Sequence, residues 1–146
     1  TGGGERMIRL VYLAGPIDLV DGPERHDWRI EAEKALGARG MSSYNPARAF
    51  HWVGDANGGS KVIRINRMAM EQSDAVLFRL TTKPTVGTWR ELQMAIDMGK
   101  PVVGWDVTNG AAANAIYLDG MQRYSTLESA VYRLLNGDLD ALKMPV

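Results

Sequence analysis

The sequence predicts an α/β domain with a central parallel sheet of about five strands and helices on both faces. Short apolar runs alternate with stretches whose apolar residues recur at helical spacing. Gly, Pro or Asn closes most of the runs. The 146 residues, 45% hydrophobic and 23% charged, suit one domain with a core of its own. Residues 1–7, Gly-rich and without an apolar stretch, read as a flexible leader, and 8–146 as the single folded domain.

Ile8 to Ala14 is an apolar run stopped by Gly15-Pro16, which makes it the first strand. Asp21-Gly22-Pro23-Glu24 has the form of a helix start, with proline in the first turn. Trp28, Ala32, Ala35 and Leu36 then share one helical face as far as Gly40. Met41 to Tyr44 is a short second strand stopped by Asn45-Pro46, and residues 45–59 form a long loop. A helix is expected from Ser60, with Val62, Ile65, Asn66 and Ala69 facing inward. Ala75 to Leu80 is the third strand, Thr88 to Met98 a helix, and Pro101 to Trp105 the fourth strand. A short helix is expected around Ala112 to Leu118. Ser125 is expected to cap a last helix with Leu127, Ala130, Val131 and Leu134 inside. The methionines at 68, 70, 94 and 98 read as core filler. Strands joined through helices imply right-handed crossovers, hence a flavodoxin-like three-layer sandwich with its sites at the carboxyl ends of the strands.

Composition removes several function classes. The chain has no cysteine, which excludes disulfides, Cys-based metal sites and thiol nucleophiles. Two histidines leave little for a His-based metal site. Seventeen basic residues balance seventeen acidic ones, so no broad basic surface is available to nucleic acid. No apolar run reaches the roughly 18–20 residues of a membrane span, and the expectation is a soluble cytoplasmic protein. The first loop, Ala14-Gly15-Pro16-Ile17-Asp18, is neither a dinucleotide fingerprint nor a Walker A loop, and a GxSxG nucleophile elbow is absent.

The loops after the strands hold the candidate chemistry. Glu91 is placed in the first turn of its helix, on the apolar face with Met94, Ala95 and Met98. A carboxylate at a helix N-terminus is stabilised in its ionised form, which suits a nucleophile. The same spacing, Thr88-x-x-Glu91, also fits a capping box in which Glu91 bonds its own helix start. Asn66 on an inward helical face needs hydrogen-bond partners, either a loop backbone or the edge of a ligand. Tyr12 reads as a core residue with a bonded hydroxyl, and Asp74 as a turn or cap residue. Trp52 and Trp89 are aromatic platforms on which a base could stack.

Several of these segments, in order, resemble the nucleoside 2-deoxyribosyltransferase family. The run Tyr12-Leu13-Ala14-Gly15-Pro16 is similar to that family's opening YxAGP, and Tyr44-Asn45-Pro46 ends the second strand as in its members. The blocks Ser73-Asp74-Ala75-Val76, Gly87-Thr88-Trp89-Arg90-Glu91-Leu92 and Gly99-Lys100-Pro101-Val102 follow in the family's order. The resemblance implies that Glu91 is the catalytic glutamate, with Tyr12 beside it and Asn66 where the family often carries an aspartate near the leaving base. Thr85 stands at a second position that is acidic in the family. Both are departures, and an asparagine has no titratable proton to give the base. The resemblance further implies substrate contacts at Gly15, Pro16, Asp18, Asn45, Gly87, Thr88 and Asn114, the last from a neighbouring subunit. It implies no metal and no organic cofactor. The partners it implies are a nucleoside or nucleotide and a free base, with neither nucleic acid nor membrane, in a homo-oligomer of two or more subunits. A nucleoside 5′-monophosphate N-glycosidase of the same superfamily and a non-catalytic nucleotide-binding module are the alternatives.

Overall fold

The computed structural model describes residues 8–15, 27–46, 58–81, 86–108 and 118–145. In chain order the elements are β1 (Leu10–Ala14), α1 (Asp27–Gly37), β2 (Ser42–Tyr44), α2 (Gly58–Gln72) and β3 (Ala75–Leu80). They continue with α3 (Val86–Asp97), β4 (Val102–Asp106), β5 (Gln122–Tyr124), α4 (Leu127–Leu135) and a 3-10 turn, Asp140–Leu142. The five strands are all parallel, in the order β2-β1-β3-β4-β5. That is the doubly wound, flavodoxin-like order, in which the crevice lies beyond the carboxyl ends of the strands where the order reverses, between β1 and β3.

Alternation along the strands divides the core into two layers. Val11, Leu13, Ala75, Leu77, Val103 and Trp105 face α1 and α4. Tyr12, Ala14, Val76, Phe78, Leu80 and Val102 face α2 and α3. Strands buried on both faces read as continuous apolar runs, and for that reason β1, β3 and β4 are legible in the sequence. Asp74 is structural, as expected: its Oδ2 accepts from the Arg9 and Leu10 backbone N–H groups at 2.8 and 3.0 Å, joining the start of β3 to that of β1.

Several expectations are corrected. Helix α3 begins at Val86, two residues before Thr88, so Thr88 is inside the helix and Glu91 falls in its second turn. The last helix is capped by Thr126, whose side chain accepts from the Ser129 N–H, and not by Ser125. Its inner face is Leu127, Ala130, Val131 and Leu134, as the spacing predicts. On α2 the inward residues are Val62, Asn66, Ala69 and Met70, while Ile65 and Met68 are 39% and 64% exposed. Met68 is therefore not core, although Met70 is buried and Met94 and Met98 pack against the core. The segment after Gly137 turns back onto the sheet: Leu142 and Met144 are buried, and Lys143 pairs with Pro101 in an antiparallel bridge. The expected helix start at 21–24, the loop at 47–57 with Trp52, Thr85 and the expected helix at 112–117 lie outside the described residues. No helix among the described residues is long and apolar enough to cross a membrane.

Candidate active site

Glu91 reaches the site from the inner face of α3, which it shares with Thr88, Leu92 and Ala95 at i−3, i+1 and i+4. It is 8% exposed, an unusual position for a carboxylate without specific partners. Tyr12, fully buried on β1, donates its hydroxyl to Glu91 Oε2 at 2.5 Å. The hydrogen bond links residues 79 positions apart and ties α3 to β1. The carboxylate thus meets β1, and Thr88, inside the helix, is not its cap, so the capping-box reading falls.

A second tyrosine extends the group. Tyr44, at the end of β2, stacks on the Tyr12 ring with centroids 5.3 Å apart. Its hydroxyl donates to Asn66 Oδ1 at 2.8 Å. Glu91, Tyr12, Tyr44 and Asn66 therefore form one cluster drawn from α3, β1, β2 and α2. Desolvation pushes the Tyr12 hydroxyl well above the ordinary tyrosine range, with the Glu91 charge adding to it. Burial and the same carboxylate push Tyr44 up to about 12. Both phenols consequently remain protonated donors at neutral pH.

Arg29 on α1 was not singled out by its sequence, yet it is fully buried. Its Nη2 donates to the Gly15 carbonyl at 2.8 Å and its Nε to the Leu13 carbonyl at 3.4 Å. Its guanidinium lies 4.3 Å from the centroid of the Trp28 ring. Desolvation lowers its pKa to about 10, and the Glu91 charge opposes that shift. The signal was present: Arg29 stands at i−3 and i−7 from Ala32 and Leu36, on a buried face of α1.

The other expected site residues are divided. Gly15 is a packing glycine, since a Cβ there would lie 2.6 Å from the Trp28 ring. Asn45 is buried at the end of β2, and its Nδ2 donates to Glu33 Oε1 at 3.0 Å, joining β2 to α1. Thr88 is buried one turn before Glu91, and Gly87 is the second residue of α3. Pro16, Asp18 and Asn114 lie outside the described residues. Trp89 packs against the core layer that holds Tyr12 and lines a cavity of about 290 Å3 with Leu92, Gln93 and Ile96.

A buried carboxylate held by a phenol on a flavodoxin-like sheet suits covalent catalysis at an electrophilic carbon. The family model for nucleoside 2-deoxyribosyltransferase matches residues 11–129. The chain belongs to the nucleoside 2-deoxyribosyltransferase family, whose enzymes act on N-glycosidic bonds. Among solved structures it is similar to a 2-deoxyribosyltransferase from Bacillus psychrosaccharolyticus, at 20% identity and a TM-score of 0.71, covering 92% of this chain and 96% of that one. It is also similar to a 2-deoxyribosyltransferase from Leishmania mexicana, at 16% identity and a TM-score of 0.63, over 87% and 97% of the two chains. A CMP N-glycosidase, BcmB, from Clostridium botulinum is similar at 12% identity and a TM-score of 0.53, over 86% and 98%. At these identities the likeness is one of fold. No curated protein sequence matches the chain.

Proposed function

We propose that the protein is a nucleoside 2-deoxyribosyltransferase with Glu91 as its nucleophile. The observation that carries the reading is the buried Glu91 carboxylate, hydrogen-bonded by Tyr12 of β1. In the first half-reaction a Glu91 oxygen bonds C1′ of a 2′-deoxynucleoside as the C1′–N bond breaks. The bond's electron pair leaves with the base, which takes up a proton. In the second, a ring nitrogen of another base bonds C1′ and gives up its proton to water, the glutamyl ester breaks and the carboxylate is regenerated. The transition states are oxocarbenium-like, as in retaining glycosidases. Asn66 has no titratable proton, so the base is protonated by water, by another residue or in its own tautomeric form. Substrate contacts are assigned to Asn45, Thr88, Gly87 and Gly15, to Pro16 and Asp18 of the first loop, and to Asn114 of a second copy of the chain. The active form is then a dimer or larger, acting in nucleotide salvage in the cytoplasm.

The asparagine at 66 and the threonine at 85 favour a second reading, hydrolysis of a deoxynucleoside 5′-monophosphate, because two groups expected for base exchange are absent. One experiment separates the readings. A panel of deoxynucleosides and their 5′-monophosphates is incubated with and without a free acceptor base, and the products are resolved by chromatography. Transfer predicts a new nucleoside whenever adenine or cytosine is added to a donor that the enzyme cleaves. Free sugar or sugar phosphate as the sole sugar product across all acceptors would move the protein to the hydrolases. The absence of base release from every donor would remove both readings.

A further inference from the structure

We propose that Tyr44 is a positioning residue that fixes the side-chain amide of Asn66, so that the amide turns its nitrogen toward the leaving base and the site favours bases with a hydrogen-bond acceptor there. The proposal rests on the reading of Glu91 as nucleophile. Tyr44 and Asn66 come from different elements, the last residue of β2 and the inner face of α2. Their side chains meet in one bond, in which the phenol donates to Asn66 Oδ1 at 2.8 Å. The Tyr44 ring is itself held, stacked at 30° and 5.3 Å between centroids on Tyr12, whose hydroxyl bonds Glu91. A carboxylate, two rings and an amide are thus joined by direct contacts, each to the next. Under the nucleophile reading, the base of a nucleoside whose C1′ meets Glu91 departs beside this cluster.

The polarity of the amide follows from its partner. An asparagine amide has one accepting oxygen and one nitrogen with two N–H donors, on arms of nearly the same shape. A phenol that donates decides between the two arms. Burial and the Glu91 charge push Tyr44 up to about 12, so it keeps its proton and stays a donor. With the oxygen engaged, Nδ2 is left on the arm away from Tyr44, and among the described residues nothing accepts from it. Asn66 is only partly buried, so a ligand can reach that nitrogen. As the C1′–N bond breaks, its electron pair moves onto the base, and a ring nitrogen or carbonyl oxygen of the base becomes a stronger acceptor. An N–H already held toward it binds the transition state more tightly than the ground state. Asn66 transfers no proton in this step. A bond that served only to tie α2 to β2 would take no part in the choice of base.

The test measures kcat/KM for 2′-deoxyadenosine and for its 3-deaza and 7-deaza analogues, in each of which C–H replaces one acceptor nitrogen. Where only pyrimidine donors are cleaved, thymidine is compared with its 2-thio and 4-thio analogues, whose sulfur is a weaker acceptor. Wild type is set against Tyr44→Phe, which keeps the stacked ring and removes the hydroxyl, against Asn66→Ala, and against the double variant. Tyr44→Phe is expected to reduce the preference for the parent over one of the analogues by about 3- to 10-fold. Asn66→Ala should reduce it at least as much, and the double variant no further than Asn66→Ala alone, because Tyr44 acts through Asn66. An unchanged preference in Tyr44→Phe, or losses that multiply in the double variant, overturns the proposal. A second measurement needs no turnover. The side-chain amide resonances of Asn66, assigned by their loss in Asn66→Asp, are followed by NMR as adenine or cytosine is added to the wild type. They should shift with one of the bases, and shift less in Tyr44→Phe. Resonances that stay in place with both bases overturn the proposal. Wild-type protein that releases no base from any donor overturns the nucleophile reading instead, which distinguishes the two failures.

Discussion

Tyr12 carries a hydroxyl to a place where no part of its side chain meets solvent, and there it meets a carboxylate. Hydrogen bonds to charged groups contribute about 1.5–3 kcal/mol. Under the proposed mechanism Tyr12→Phe should therefore lower kcat/KM for base release roughly 10- to 100-fold, measured by steady-state chromatographic assay. Wild-type turnover in that variant would show that the hydroxyl has no part in the reaction. Spacing left Tyr12 as a core residue with a bonded hydroxyl, which the geometry bears out, but it could not supply the partner 79 residues away. Glu91 was divided between cap and nucleophile for a related reason. Which way the carboxylate turns depends on where α3 starts, and the spacing placed that start at Thr88, two residues after Val86. Arg29 was missed because a charged residue in an amphipathic helix is ordinarily solvated. Its burial, against the Leu13 and Gly15 carbonyls and the Trp28 ring, is a product of tertiary packing.

The elements that were legible are those with a strong period or burial on both sides. Helix α4 is a clear case. Its four buried residues follow i, i+3, i+4 and i+7, and only its cap was displaced by one position. Thr126 accepts from the Ser129 N–H at 3.1 Å. Loss of such a cap costs about 1 kcal/mol. Thr126→Ala should therefore lower stability by about that amount in urea unfolding, while Ser125→Ala should change it by less than about 0.5 kcal/mol. Equal effects would return the cap to Ser125. Strand β5 was not located because it is three half-buried residues, Gln122-Arg123-Tyr124, at the edge of the sheet. So short a polar segment has no apolar alternation to read. The α2 face was misread by one residue at Ile65: the helix turns Asn66 and Met70 inward and leaves Ile65 and Met68 outside. A hydrophobic side chain on a surface helix is ordinary, so composition could not reveal the difference.

At the scale of the whole molecule, the sheet order places the ends of β1 and β3 side by side and brings α1, α2 and α3 to the same rim. The class of fold was legible, because strand–helix alternation and connection handedness leave few topologies. The family followed from the order of short motifs, each weak alone. The shared-site assembly proposed above has a direct check. Glu91→Gln and Asn114→Ala subunits, dissociated and reassembled together, should regain part of their activity, since some mixed dimers would carry one site with both native residues. A fully active monomer by sedimentation would contradict it. The central claim, that Glu91 is the nucleophile, is tested most directly by the rate of base release from the best donor in wild type, Glu91→Gln and Glu128→Gln. Glu128 has the same spacing from Ser125 as Glu91 from Thr88, but it is exposed on α4. Glu91→Gln should fold and lose more than about 90% of its turnover, at least ~1.4 kcal/mol in activation free energy, while Glu128→Gln keeps the wild-type rate. A Glu91→Gln protein that retains more than about a tenth of wild-type turnover would contradict the account.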